Sequence, residues 1–202
     1  MDVPYRQIRA AFTDDAITVY QAYDPAIATP AVAAQRFVAP FKRERMTWIK
    51  PSFLWMMYRC GYATKAGQTR VLAIDITREG FEWALERSCP SHPGDGEDHE
   101  AWKERLRESP VRIQWDPERD PHHNPLPHRS IQVGLSGEAV ARYLDQWIVS
   151  ITDLTDRVRD IRQALRDGRD VTDMLPVERP YPLRPELARI AGETARSGAK
   201  PA

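Results

Sequence analysis

Three features of this sequence predict a single α+β domain. β-rich, partly alternating segments recur at 16–23, 70–76, 111–115 and 129–135. Shorter helical patterns separate them. A stripe of apolar residues at three- and four-residue steps then runs through 137–166, wide enough to pack on a sheet. The expected sheet is mixed or antiparallel, whole or split in two. The 202 residues are enough to bury a core without a disulfide or metal staple.

Each element has a local reason. Residues 1–15 are polar and mixed, and read as a short helix or arm. Ala16 to Tyr23 is a strand, stopped by Asp24 as N-cap and Pro25 as first helical residue. The alanine-rich run to Phe37 is one small helix, or two turns split at Pro30. Met46–Ile49 is extended, and Pro51 opens a helix to Arg59 that Gly61 closes. Arg70–Ile76 is a strand with Leu72, Ile74 and Ile76 on one face. Thr77 caps a helix to about Ser88, residues 89–99 form a loop, and 98–108 form an exposed helix. Val111–Trp115 and Arg129–Leu135 are strands able to pair across a proline-rich loop at 116–128. Ser136 caps the long helix over 137–166, and Gly168 ends it. The domain is placed at 1–175, followed by a proline- and charge-rich tail at 176–202.

The charge balance narrows the function. Lys and Arg number 29 against 29 Asp and Glu, which excludes a wholly electrostatic nucleic-acid binder but not a local basic groove. No run approaches 18 apolar residues, so no membrane-spanning helix is expected. Met1 to Tyr5 lacks the basic flank and apolar run of a secretory leader. With only Cys60 and Cys89, a cytoplasmic protein with reduced, packed thiols is expected. There is no glycine-rich phosphate loop, no Ser-His-Asp order and no G-x-S-x-G.

The most informative segment is a corner rich in aromatics and cations. Trp48, Phe53, Trp55 and Tyr58 lie among Arg36, Lys42, Arg43, Arg45, Lys50 and Arg59, with Glu44 as the sole acid between 36 and 59. This mixture suits stacking on a base or nicotinamide with phosphates nearby. It equally suits a core corner with buried aromatics and solvated cations. Lys50 sits at the strand–helix junction, where a phosphate would also meet free helix N–H groups, and Ser52 could add a hydroxyl. Arg9 and Arg129 lie beside strands, placed either to clamp a pyrophosphate or to form surface ion pairs. Gln132 falls on the polar face of its strand. Asp75 reads as a partly buried acid paired to an arginine. The five histidines lie between residues 92 and 128 without the spacing of a helical zinc site, so no metal is expected.

The block from Arg45 to Arg59, with Val19–Tyr23 upstream and Arg129–Leu135 downstream, resembles a microbial family known as domain of unknown function four-two-nine-one. The likeness covers Ile8 to Leu165 and names no reaction. The order of elements also resembles that of ADP-ribosyltransferases, above all the branch that modifies nucleic acids, and of RNA 2′-phosphotransferases. That second resemblance implies NAD as substrate. It implies that Tyr20 and Gln21 occupy the opening strand's motif, that Ser52 and Trp55 belong to the segment cradling nicotinamide, and that Trp48 and Tyr58 flank the ring. Lys50, Arg9 and Arg129 would serve the phosphates, and Gln132 would orient the ribose. Gln stands at 21 where that family carries His or Arg, and at 132 where it carries Glu; an amide binds a hydroxyl but bears no charge. The expected function is an NAD-binding, ADP-ribosyltransferase-like enzyme acting on a nucleic acid or nucleotide. A non-catalytic binder of single-stranded nucleic acid and a protein-interaction module are the alternatives.

Overall fold

A computed structural model describes residues 3–94 and 96–194. In chain order the elements are β1 (Arg9–Ala10), β2 (Ala16–Tyr23), α1 (Pro25–Ala34), β3 (Thr47–Ile49), α2 (Phe53–Cys60), β4 (Arg70–Thr77), α3 (Arg78–Glu86), β5 (Ser88–Pro90) and α4 (His99–Glu108). There follow β6 (Val111–Arg119), β7 (Pro125–Leu135), α5 (Glu138–Arg142), a π-helical turn at Tyr143–Trp147, β8 (Ile148–Asp153), α6 (Thr155–Arg166), a 3-10 turn at Thr172–Met174, β9 (Arg179–Pro180) and α7 (Pro185–Ala191). The fold is α+β, as expected.

The strands form three sheets, ordered β2-β4-β8, β3-β7-β6-β5 and β1-β9. Every pairing is antiparallel except β5 with β6. Alternation decides what each face buries. Ile17 and Val19 of β2 stand opposite Ile76 and Ile74 of β4, and Ile151 of β8 completes the row. Those side chains meet Ile49, Val111, Ile113, Ile131, Val133 and Leu135 from the second sheet in one core. Burying each such aliphatic chain contributes about 1.5–3 kcal/mol. The opposite face of the first sheet, with Tyr20 and Val71, forms a second core beneath α2 and α6.

Local chemistry accounts for the helix starts. Asp24, Thr77 and Asp98 each accept a hydrogen bond from an amide of the first turn of α1, α3 and α4. Helix α1 continues through Pro30 as one piece. Helix α2 starts two residues later than expected, with Ser52 as N-cap, and Gly61 closes it with a φ of 60°.

Three expectations are corrected, and a fourth is narrowed. The helix expected over 137–166 is two helices separated by the π turn and β8. Ile148, Val149, Ile151 and Thr152 are β-branched, and Ile148 and Ile151 fit the helical spacing equally well. The open edge of β4 settles the competition by pairing with β8. Trp147, at the end of the π turn, packs so closely on Gly80 that a Cβ there has no room. The loop expected at 116–128 shrinks to a tight turn, because β6 runs on to Arg119 past a register shift at Pro117 and β7 begins at Pro125. Asp120 stabilises that turn, accepting from the amides of His122 and Asn124 at 2.9 and 2.8 Å. The segment expected as a loop from residue 89 opens as β5. Of the short helix or arm expected over 1–15, the described residues 3–15 hold no helix; β1 lies there and pairs with β9.

The stretch expected as a tail packs on the domain as far as Thr194. Tyr181 is buried, edge-on to Phe12 and Phe81. Trp115 Nε1 donates to the Ala191 carbonyl at 2.8 Å, and the Ile8 amide donates to Glu193 Oε1 at 2.6 Å. Residues 195–202 of that stretch lie outside the described residues.

Candidate functional site

Beside their shared core, the two large sheets are joined by a backbone bridge, where the Tyr20 amide of β2 donates to the Lys50 carbonyl just after β3, at 2.7 Å. Beside this bridge opens a cleft of about 410 Å3. Gln21, Thr47 and Lys50 line it, with Trp48 as an aromatic wall, Phe41 and Met46 as apolar neighbours, and Arg59 and Gln68 on the far side. Lys42 and Arg45 reach in from the loop before β3. The lining thus holds four cations, Lys42, Arg45, Lys50 and Arg59, and no carboxylate.

Trp48 owes its position to a glycine. It lies over Gly134 of β7, where a Cβ would come within 2.9 Å of the ring. Gln21 is buried and its amide joins three elements: Nε2 donates to Thr47 Oγ1 at 2.8 Å and to the Trp48 carbonyl at 3.0 Å, and Oε1 accepts from Tyr143 OH at 2.8 Å. Both of its N–H donors are used, so the amide acts as a strut between the sheets.

Lys50 is buried, and its Nζ donates to the Trp48 carbonyl at 3.1 Å while lying 5.5 Å from the centre of the Trp55 ring. Burial first, and the Arg59 charge with it, lower its pKa to about 7 against the opposing pull of Asp116 and Cys60. Ser52 is buried as the N-cap, accepting from the Trp55 amide at 3.1 Å. The Phe53 amide donates to Glu178 Oε1 at 2.7 Å. The protein's own groups therefore occupy two of the N–H donors, those of Phe53 and Trp55, expected to meet a phosphate at the start of α2.

Behind the junction lies an acidic region that sequence reading missed. Asp116 accepts from Gln114 Nε2 at 2.9 Å and from Gln132 Nε2 at 2.7 Å. Glu118 is buried beside Ser52 and Ser130, and burial raises its carboxyl above the usual range. Burial, with a contribution from neighbouring Glu118, pushes Glu178 up to about 8 against the Phe53 amide and Arg9, which favour its charged form. Asp116 and Glu118 continue the polar side of β6 from Gln114, a signal that appears once the strand is followed past Trp115. Glu178 lies where no strand was expected, and nothing in the sequence marks it.

Of the residues singled out by sequence, the structure brings Gln21, Trp48 and Lys50 together in the cleft. Tyr20 supports them from the second core, edge-on to Phe53, with burial raising its hydroxyl far above the usual range. Trp55 is buried under Lys50. Gln132 stands one residue beyond the Ile49–Val133 pair, on the Lys50 side, but its amide is directed to Asp116. Tyr58 is exposed, with the Arg119 guanidinium 3.9 Å from its ring centre and His123 edge-on to it. Arg9 donates to the Glu178 carbonyl at 3.2 Å. Arg129 donates to Tyr5 OH at 2.6 Å and to the Trp115 carbonyl at 3.1 Å. Asp75 has no arginine partner among the described residues; Thr18 and Ser150 hydroxyls donate to it at 2.7 and 2.8 Å. Cys60 is buried and its pKa is raised by that burial, which disfavours a thiolate.

Fold and cleft together define an α+β protein with a cation-lined opening where two sheets meet. The model of the family described as Domain of unknown function (DUF4291) matches residues 7–181, and the chain belongs to that family. A search of the curated proteins returned no match. These findings lend no support to the resemblance to ADP-ribosyltransferases. Among the described residues, no helix is long and apolar enough to cross a membrane, and no three His, Cys, Asp or Glu side chains gather as a metal site.

Proposed function

We propose that the cleft binds a nucleotide, and that the ligand is NAD, used as the donor in an ADP-ribosyl transfer to a nucleic acid or nucleotide. The observation that carries the nucleotide reading is the lining itself: four cations with no opposing carboxylate, beside a tryptophan wall and apolar neighbours. Lys42, Arg45 and Arg59 are exposed and meet the phosphates. Trp48 offers its face to a ring. Lys50 sits deepest, where a developing positive charge on the ligand meets an amine that burial keeps partly neutral. Gln21 and Gln132 act through the protein, one holding the sheets in register and the other holding Asp116. Arg9 and Arg129 are committed to protein partners, so the phosphate contacts assigned to them pass to the mouth of the cleft.

Thermal unfolding with added NAD, ADP or a single-stranded oligonucleotide tests this reading. A rise with NAD and ADP is expected, because a ligand selective for the folded state stabilises it. Transfer of label from NAD to an added acceptor then tests the reaction. Exposed Tyr58 and Lys65, with the half-buried Arg119 against the Tyr58 ring, form an aromatic–cation surface beyond Arg59, which favours single-stranded nucleic-acid binding as the second reading. A rise with oligonucleotide alone, lost steeply with salt, would replace the first by the second.

A further inference from the structure

Of the four cations that line the cleft, Lys50 alone is buried; Lys42, Arg45 and Arg59 stand exposed at the mouth. Among the described residues Lys50 forms no ion pair, and the protein acceptor of its Nζ is a main-chain carbonyl. Trp55 packs beside the amine, Arg59 of α2 repels its proton, and Asp116 of β6 is the acid that favours the proton. An amine held this way is a nucleophile near neutral pH. The exposed cations around it suit a phosphate-bearing ligand.

We propose that Lys50 forms an imine with the carbonyl of a phosphate-bearing aldehyde, of which an aldose phosphate such as ribose 5-phosphate is the simplest case. The Nζ lone pair attacks the carbonyl carbon, and a C–N bond forms as the carbonyl π pair moves to oxygen. That oxygen leaves as water with the two amine hydrogens, giving the C=N bond; addition of water reverses the step. A ribose phosphate already released from its base opens to an aldehyde of the same class. This inference rests on the reading of the cleft as a phosphate site and adds a covalent step to it.

The test incubates the full chain with ribose 5-phosphate and cyanoborohydride at neutral pH and locates the reduced adduct by peptide mass spectrometry. An amine with a pKa of about 7 is roughly half unprotonated at pH 7, whereas a lysine at 10.5 is so only about once in three thousand. Labelling of Lys50 over Lys42, Lys65 and Lys103 by on the order of a hundredfold is therefore expected. Unphosphorylated ribose should label Lys50 far less, and inorganic phosphate should compete. Lys50→Arg should lose the adduct. Lys42→Glu/Arg45→Glu, changed at exposed positions and sparing the Arg59 charge that helps depress the Lys50 pKa, should lower the adduct while Lys50 remains in a folded chain. Equal labelling of all lysines, or equal labelling by ribose, overturns the proposal. NAD binding without an adduct overturns it and leaves the nucleotide reading standing. An adduct without NAD binding upholds it and removes NAD.

Discussion

The turn from Lys50 to Phe53 divides two regions of opposite charge that the protein treats differently. On the cleft side, Lys42, Arg45 and Arg59 are exposed, so water solvates them and leaves them available. On the other side, Glu118 is buried beside Ser52 and Ser130, and Glu178, largely withdrawn from solvent, accepts from the Phe53 amide. Burial moves the groups at the junction in opposite directions, Lys50 down to about 7 and Glu178 up to about 8. Near neutral pH Lys50 and Glu178 therefore each carry less than their full charge. The difference teaches that the cations stay free in solvent, as the proposed ligand would require, whereas Glu178 ties the residue before β9 to the start of α2.

The largest effect should come from reversing the mouth. Arg45→Glu/Arg59→Glu removes two charge-assisted contacts, each worth about 1.5–3 kcal/mol, and should weaken nucleotide binding by roughly a hundredfold or more. Because both side chains are exposed, Tm should hardly move. Next comes the aromatic wall. Gly134→Ala places a methyl against the Trp48 ring, and should cost about 1–3 kcal/mol in urea unfolding. It should also weaken ligand binding as the ring is displaced.

The acidic region gives a pH signature. Glu178 keeps its proton in the folded protein to about 8, while the unfolded carboxyl titrates near 4.5. The folded state thus binds the extra proton between those values. Its stabilisation is complete below 4.5 and is lost as pH rises through 8. Glu178→Gln should flatten stability against pH across that window; an unchanged slope would remove Glu178 as its source. The smallest effect should be that of Gln132→Ala. It removes one hydrogen bond to Asp116 and should cost about 0.5–1.5 kcal/mol of stability, with nucleotide affinity changed by less than about threefold. A large loss of affinity would bring the acidic side into the binding site.

Strands β2 and β4 were legible because their alternation and their bounding caps agree, and α3 and α4 because Thr77 and Asp98 mark their starts. β8 was not, since Ile148 and Ile151 satisfy two periodicities and only the free edge of β4 decides between them. The packed stretch after 176 was hidden because prolines and charges read as solvent-exposed, whereas Tyr181 and Leu187 anchor it by contacts distant in sequence. In the candidate site, Trp48 and Lys50 could be read from the corner that holds them. That the start of α2 is filled by Glu178, and that Gln21 is consumed as a strut, depends on partners 125 and 122 residues away.

Calorimetric titration of the full chain with NAD, beside Arg45→Glu/Arg59→Glu, tests the cleft most directly. Saturable binding by the native chain, abolished by the double reversal in a protein of unchanged Tm, is the predicted result. Binding that survives the reversal, or no heat from NAD with the native chain, would contradict it.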